Sequence, residues 1–428
     1  MFKKIVFIGL VCLGFSCSKE TDEQVPTIWV ASPIDMQHIA VGDTVRVIAK
    51  ITDNRVVESV SVTLVDDNGI PLLSTISEQP NVTEYDLDLF YAIDDIQISS
   101  GTYYFDVTAF DGVNRVYETV PVVINGIAQQ REGIFIFDNV SNQTSIYRLD
   151  TVLNAILFKT LTGDFLGGAV NHYHQQVVCA GNVSGKVTVM DIKTGAELWS
   201  LPLANGGSFP SFTGVFSHNQ TVYVAYYNEN IRGYDGGGNL SYGTQAHSGY
   251  YGESGWVHED VLLVEQTSKS IAGTKMVVYW MASGAERHQI VLSEDICGMF
   301  SLNNDEVILF TNDAANNGRL SFYSVSNNVR SIPFNIGPGK IDAVTQISTG
   351  EYLVARNGDL KIISANTFST LPYLSGVNAS ILKYDVTSDE LVVVDGNKLS
   401  LYDYTKRTVK QSYTHSNHIL DMQFLYNK

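Results

Sequence analysis

His172 and His174 come nearest in this chain to a metal-binding pair, since imidazoles two residues apart on an extended segment share one face. No third ligand is evident beside them. Polar turns recur at the matching places, in His218-Asn219, His258-Glu259 and Asn303-Asn304, so the pair reads as turn polarity. The carboxylate pairs Asp94-Asp95 and Glu294-Asp295 are adjacent, and neighbours on a strand point to opposite faces, which suits exposed turns better than acid–base work. Gly236-Gly237-Gly238 lacks the strand-to-helix setting of a phosphate loop, and no Gly-x-Ser-x-Gly elbow is present. Cys179 and Cys297 stand in apolar, strand-like contexts and read as buried, unpaired thiols. No catalytic set, cofactor or metal is expected from these residues. Aromatic rings remain: Phe165, Phe209, Phe212, Tyr226, Tyr227, Tyr250, Tyr251, Trp256, Tyr373 and Tyr413, with Lys269 and Lys275 among them. Flat rings bury much area at low entropy cost and suit sugars, tetrapyrroles, catechols or protein anchors.

The elements that must position these rings repeat. Apolar alternating runs separated by Gly, Asn and Asp turns recur through the chain, and the clearest copy is Gly181 to Trp199, GNVSGKVTVMDIKTGAELW. Equivalent points fall at Arg148, Asp191, Asp235, Trp280, Ser324, Ser364 and Asp403, at steps of 43, 44, 45, 44, 40 and 39. A period near 40–45 marks the four-stranded blades of a β-propeller, so residues 132–428 are expected to form a seven-bladed one. The first copy opens on Gly133 to Asp138, which aligns with second strands. His418 to Leu425 aligns with first strands and then stops. The C-terminal strand is therefore expected to complete the first blade and to cover an open sheet edge. In this register the aromatic candidates fall in loops joining the fourth strand to the next first strand, or the second strand to the third.

The Gly181–Trp199 copy resembles the bacterial quinoprotein-like repeat, found in pyrroloquinoline-quinone dehydrogenases and in a non-enzymatic outer-membrane assembly lipoprotein. The resemblance implies structural roles: a tight turn at Asp191, Thr194 and Gly195, and a wedge at Trp199. The vicinal Cys pair and repeated Trp motifs of the dehydrogenases are missing: there are four Trp, and Cys12 and Cys17 both lie in the N-terminal signal.

Ahead of the repeats, residues 27–126 carry alternating runs at Thr44–Ala49, Val60–Val65, Thr102–Ala109 and Val116–Ile124, with an Asp67-Asn68-Gly69 turn. Short strands at this density suggest a β-sandwich, and the closing run resembles immunoglobulin-like bacterial modules acting as a spacer. Lys3, Lys4 and the apolar Ile5–Leu13 read as a signal peptide over 1–16. Leu13 to Cys17 resembles a lipobox, with Phe15 where a small residue is usual. That resemblance implies acylation of Cys17 and a tether over 17–26. The acidic cluster Glu20 to Glu23 resembles an export signal for the outer face of the outer membrane, the periplasmic leaflet being the alternative. A formal charge of −18, from 45 acidic and 27 basic residues, argues against nucleic acid. The expected protein is an all-β, non-enzymatic outer-membrane lipoprotein. Its propeller face would capture a small ligand, a glycan or a protein partner, in the manner of receptors accessory to TonB-dependent uptake. A scaffold for outer-membrane protein assembly or another envelope complex is the alternative.

Overall fold

A computed structural model describes residues 24–204, 209–271 and 273–428; the signal, the lipobox and Cys17 lie outside them. All regular structure among these residues is β. The chain divides into two compact units between Ala128 and Gln129.

In the first unit, Thr27–Ser32, Thr44–Val57 and Val82–Ala92 form one sheet. Gln37–Ala40, Arg115–Asn125, Gly101–Phe110, Ser59–Val65 and Ile76–Glu78 form a second, in that order. The period of two explains the packing. Val45, Val47, Ala49 and Ile51 turn inward while Thr44, Arg46 and Lys50 face solvent. Val60, Val62, Phe105 and Val107 of the other sheet join them in one core. The strand read as Thr44–Ala49 runs on to Val57: Ile51 carries the inward alternation one step further, and the pairing with Val82–Ala92 turns irregular between Thr52 and Val57.

The second unit is a succession of antiparallel four-stranded sheets, numbered I to VII here. Sheet I is Asp421–Tyr426, Arg131–Val140, Gln143–Leu149 and Ala155–Thr162. Sheet II is Gly167–Asn171, Gln176–Ala180, Val187–Asp191 and Glu197–Leu201. Sheet III begins at Phe212, IV at Tyr250, V at Glu294, VI at Ala343 and VII at Ile381. In sheet V the fourth strand is broken into Val329–Arg330 and Phe334–Asn335. Pro333 between them has no N–H to give the ladder.

First strands of successive sheets touch one another, so they converge. The second strands are buried on both faces, as the fully covered Gln176–Ala180 illustrates. A separate apolar cluster fills each space between neighbours. Phe137 meets Val177 between I and II, Val178 meets Val224 between II and III, and Tyr223 meets Leu262 between III and IV. Leu263 meets Leu309, Phe310 meets Tyr352 and Leu353 meets Leu391 in the next three. The series then closes on itself, with Val392 and Leu399 of sheet VII against Ile134 and Met422 of sheet I. This is a β-propeller arrangement, and the C-terminal strand occupies the expected place, with Met422 opposite Ile136.

Local chemistry fixes the turns. The Asp191 carboxylate accepts from the amides of Lys193 and Thr194 at 3.1 and 2.7 Å, and Gly195 adopts φ +68°. Trp199 donates Nε1–H to the Gly236 carbonyl at 3.1 Å, tying sheet II to sheet III.

Candidate functional site

The connections leading into sheet IV, and the turn between its second and third strands, gather aromatic and charged side chains. Tyr250 opens the first strand opposite Ser268, the last residue of the second. This brings the 247–251 segment alongside the 268–275 turn. Sheet III adds Tyr227 and Glu229 from its own second turn. Lys275 Nζ lies 4.0 Å from the centre of the Tyr250 ring and donates to His247 Nδ1 at 3.1 Å. With Nδ1 accepting, His247 Nε2–H donates to Glu286 at 2.8 Å. Lys269 Nζ sits 5.1 Å over Tyr227 and pairs with Glu229 at 2.9 Å. Tyr227 and Tyr251 face each other at 5.5 Å. All three Tyr rings are half-buried. Cations held over aromatic faces are fixed in place and still partly open to solvent, an arrangement that lacks a nucleophile paired with a base.

Beyond Tyr227, Tyr250 and Tyr251, the candidate rings disperse. Phe209 is 64% exposed, before sheet III. Phe165 is stacked on Phe137 between sheets I and II. Phe212, Tyr226 and Tyr373 are buried, which removes them from any binding face. Phe212 and Tyr226 meet at 5.2 Å between sheets II and III, and the Tyr226 hydroxyl pairs with that of Tyr234 at 2.6 Å. Tyr373 stacks on Tyr404 and donates to its carbonyl. Trp256 is misplaced by the sequence reading. It lies near the far end of the strand Tyr250–His258, about 20 Å from Tyr250 at the usual rise, and donates to Ser301 Oγ at 3.1 Å.

Tyr413 belongs to an aligned polar chain. Its hydroxyl meets His415 Nδ1 at 2.9 Å, and His415 Nε2 meets Asp138 at 2.7 Å. The order resembles a relay. Burial, with Tyr147 and Asp138 nearby, pushes the phenol pKa up, so it is not activated as a phenolate. Asp138 and His415 are buried at the junction of sheets VII and I, where they join the ring's ends.

Where the first strands converge, Lys383 donates to Gln423 at 2.7 Å, and Asp421 accepts from the Gly168 amide at 2.8 Å. Burial, helped by Lys383, pushes His172 down to about 4. His172 and His174 do not act together: His172 rests against Tyr426 and His174 beside Tyr173 and Gly236. Among the described residues no group of three His, Cys, Asp or Glu is placed to hold a metal ion. Sequence reasoning missed Glu229, His247 and Glu286, because their pairing with Lys269 and Lys275 depends on strand register.

No family model matches this chain, and neither does any curated protein. Among solved structures, the β-propeller domain of Cps50 (Swd1) from Myceliophteria thermophila is similar at 12% identity, covering 60% of this chain and 89% of that one, with a TM-score of 0.46. BamB from Moraxella catarrhalis is similar at 12% identity, 68% and 90% coverage and a TM-score of 0.42. Hydrazine synthase from Kuenenia stuttgartiensis is similar at 12% identity, 67% and 93% coverage and a TM-score of 0.48. The likeness is one of fold, and the activities named belong to those proteins.

Proposed function

We propose that this is a non-enzymatic binding protein whose second unit, a seven-bladed propeller, recognises its ligand through the loops around Tyr227, Tyr250 and Tyr251. The first unit is read as an immunoglobulin-like spacer, and the N-terminal segment as the anchor of an outer-membrane lipoprotein acylated at Cys17. The observation that carries the binding site is Lys275 centred over Tyr250, beside the Tyr227–Tyr251 pair under Lys269. In a chain of net charge −18, Lys275, whose partner is the His247 imidazole and not a carboxylate, offers local positive charge beside stackable rings. That combination suits a glycan bearing a carboxylate, with rings for the sugar faces and the Lys275 ammonium for the acidic group. The capture would serve TonB-dependent nutrient uptake at the cell surface.

The test is titration of acidic oligosaccharides into the purified protein and into a variant carrying Tyr227→Ala, Tyr250→Ala and Tyr251→Ala. Saturable binding that the variant loses, with its melting temperature held, is the expected outcome. Equal binding by the variant would remove this face. Protease shaving of intact cells checks the location, since a surface receptor is cleaved and a periplasmic one is shielded.

A further inference from the structure

Between sheets I and II the described residues leave a cavity of about 510 Å³, within the usual range for small-molecule sites. Thr144 and Leu161 line it from sheet I, Cys179 and Thr188 from sheet II, and Pro202 and Leu203 from beyond the last strand of sheet II. Cys179 and Thr188 are cross-strand partners on one face. Thr188 is 1% exposed, and its hydroxyl has no hydrogen-bond partner among the described residues. An unmet hydroxyl buried in a cavity wall is a ready contact for a ligand.

The repeat shows why this space is open. Gly181 lies two residues beyond Cys179. In sheet III, Val224 pairs with Arg232, and two residues beyond Val224 stands Tyr226. The same step from Val264, partner of Val277, reaches Gln266 in sheet IV, and from Val354, partner of Lys361, it reaches Arg356 in sheet VI. Tyr226, Gln266 and Arg356 are all buried. Gly181 supplies nothing in their place. No larger residue fits, because a Cβ there would come within 2.3 Å of the Gly185 Cα.

Charges at the rim are already engaged. The Asp164 carboxylate accepts from the amides of Asn182, Val183, Ser184 and Gly185 at 2.7–3.1 Å. Lys186 bonds Glu197 at 2.7 Å and Ser200 at 3.1 Å. The space therefore favours an uncharged guest. Apolar walls from Leu161, Pro202 and Leu203 beside one unmet hydroxyl suit a small ring carrying a single hydrogen-bonding group.

We propose that the cavity between sheets I and II binds a small uncharged phenol, its ring against Leu161, Pro202 and Leu203 and its hydroxyl paired with Thr188. p-Cresol, the side chain of tyrosine as a free molecule, is the probe, and toluene is its counterpart without the hydroxyl. Calorimetric titration of the full chain should show one saturable p-cresol site. Thr188→Val should weaken p-cresol about tenfold, the size of one lost hydrogen bond, and leave toluene unchanged. Thr162→Trp, an exposed change at the cavity mouth, should abolish binding of both while the melting temperature holds. Absence of saturable p-cresol binding would overturn the site. So would full affinity in the Thr162→Trp variant. A Thr188→Val protein that is folded and binds p-cresol unchanged would overturn the hydroxyl pairing, and the phenol with it.

Discussion

Glu265 shows how a single side chain sets a pH dependence. It is 5% exposed, and it accepts from the Ile296 amide and the Ser254 hydroxyl at 2.9 and 2.8 Å. Burial pushes its carboxyl up to about 7, those hydrogen bonds holding it back and the Glu253 and Asp295 charges adding to the rise. The folded pKa lies above the ordinary 4.5, so the native state holds its proton longer than the unfolded chain does. Stability therefore falls as pH rises from about 4.5 to about 7 and then levels off, by about 3 kcal/mol in all. Glu265→Gln keeps an oxygen for the Ile296 amide, reverses the Ser254 contact so that the new amide donates to the hydroxyl oxygen, and removes the titration. Denaturant unfolding should find the variant more stable than the parent at about pH 8 and little different at about pH 5; equal stability at both would contradict the buried carboxyl. Nothing in the sequence marks Glu265, which reads as the start of a long loop reaching Lys275, whereas the strand continues to Ser268. The same limit governs the aromatic candidates. Tyr226 and Tyr227 are adjacent and identical in type, yet one turns into the space between sheets and the other towards solvent. Pleat phase at the strand end decides this, and composition does not report it.

At the scale of elements, strand positions were legible wherever alternation met a turn residue with a defined task. Asp191 to Gly195 is such a place, and the C-terminal strand another. The segment Gly249 to His258 was not. Its glycines suggest a loop, whereas Tyr250–His258 is one strand with a bulge between Gly252 and Ser254. Gly255 is there for packing, since a Cβ would meet the Phe216 ring at 2.4 Å. That misreading moved Trp256 to the wrong end of the sheet. The junction of sheets VII and I was also unreadable, because its partners lie far apart in sequence. Arg131 is buried between Asp385, at 3.0 Å, and Glu390, which Lys410 also contacts. Burial pushes both carboxyls up. Hydrogen bonds from Ser388 and Thr387 to Asp385, and from Lys410 and Arg131 to Glu390, outweigh it, and both end below the ordinary range. Arg131→Met leaves two buried carboxylates short of their cation and should cost about 3–5 kcal/mol at neutral pH. The sign follows from the lowered folded pKa values: the contribution is complete above the ordinary carboxylate range and is lost as pH falls through the lowered ones. Denaturant unfolding should therefore show the gap between variant and parent closing as pH falls below the ordinary carboxylate range. A gap that widened in acid would contradict the ion-pair assignment.

Across the whole second unit, the repeat register already assigns the C-terminal strand to the first blade, and its pairing and burial explain why the series of sheets stays shut. The closure is made by pairing Asp421–Tyr426 to Arg131–Phe137, and by burying Ile419, Met422, Phe424 and Leu425 against sheets VII and I or between I and II. Four such side chains are worth about 6–12 kcal/mol in removal from water. That is comparable with the ~5–15 kcal/mol that holds a typical domain folded. Losing them would also expose the edge of Arg131–Val140. The loop surface near Tyr250 and the cavity beside Gly181 both depend on sheets held at fixed spacing, so both rest on this closure. Scanning calorimetry of a chain ending at Asn417 tests it most directly. A ring sealed by its own tail predicts that the transition of the second unit is abolished while that of the first unit persists. A truncated protein whose second unit melts at the parent temperature would contradict the closed ring.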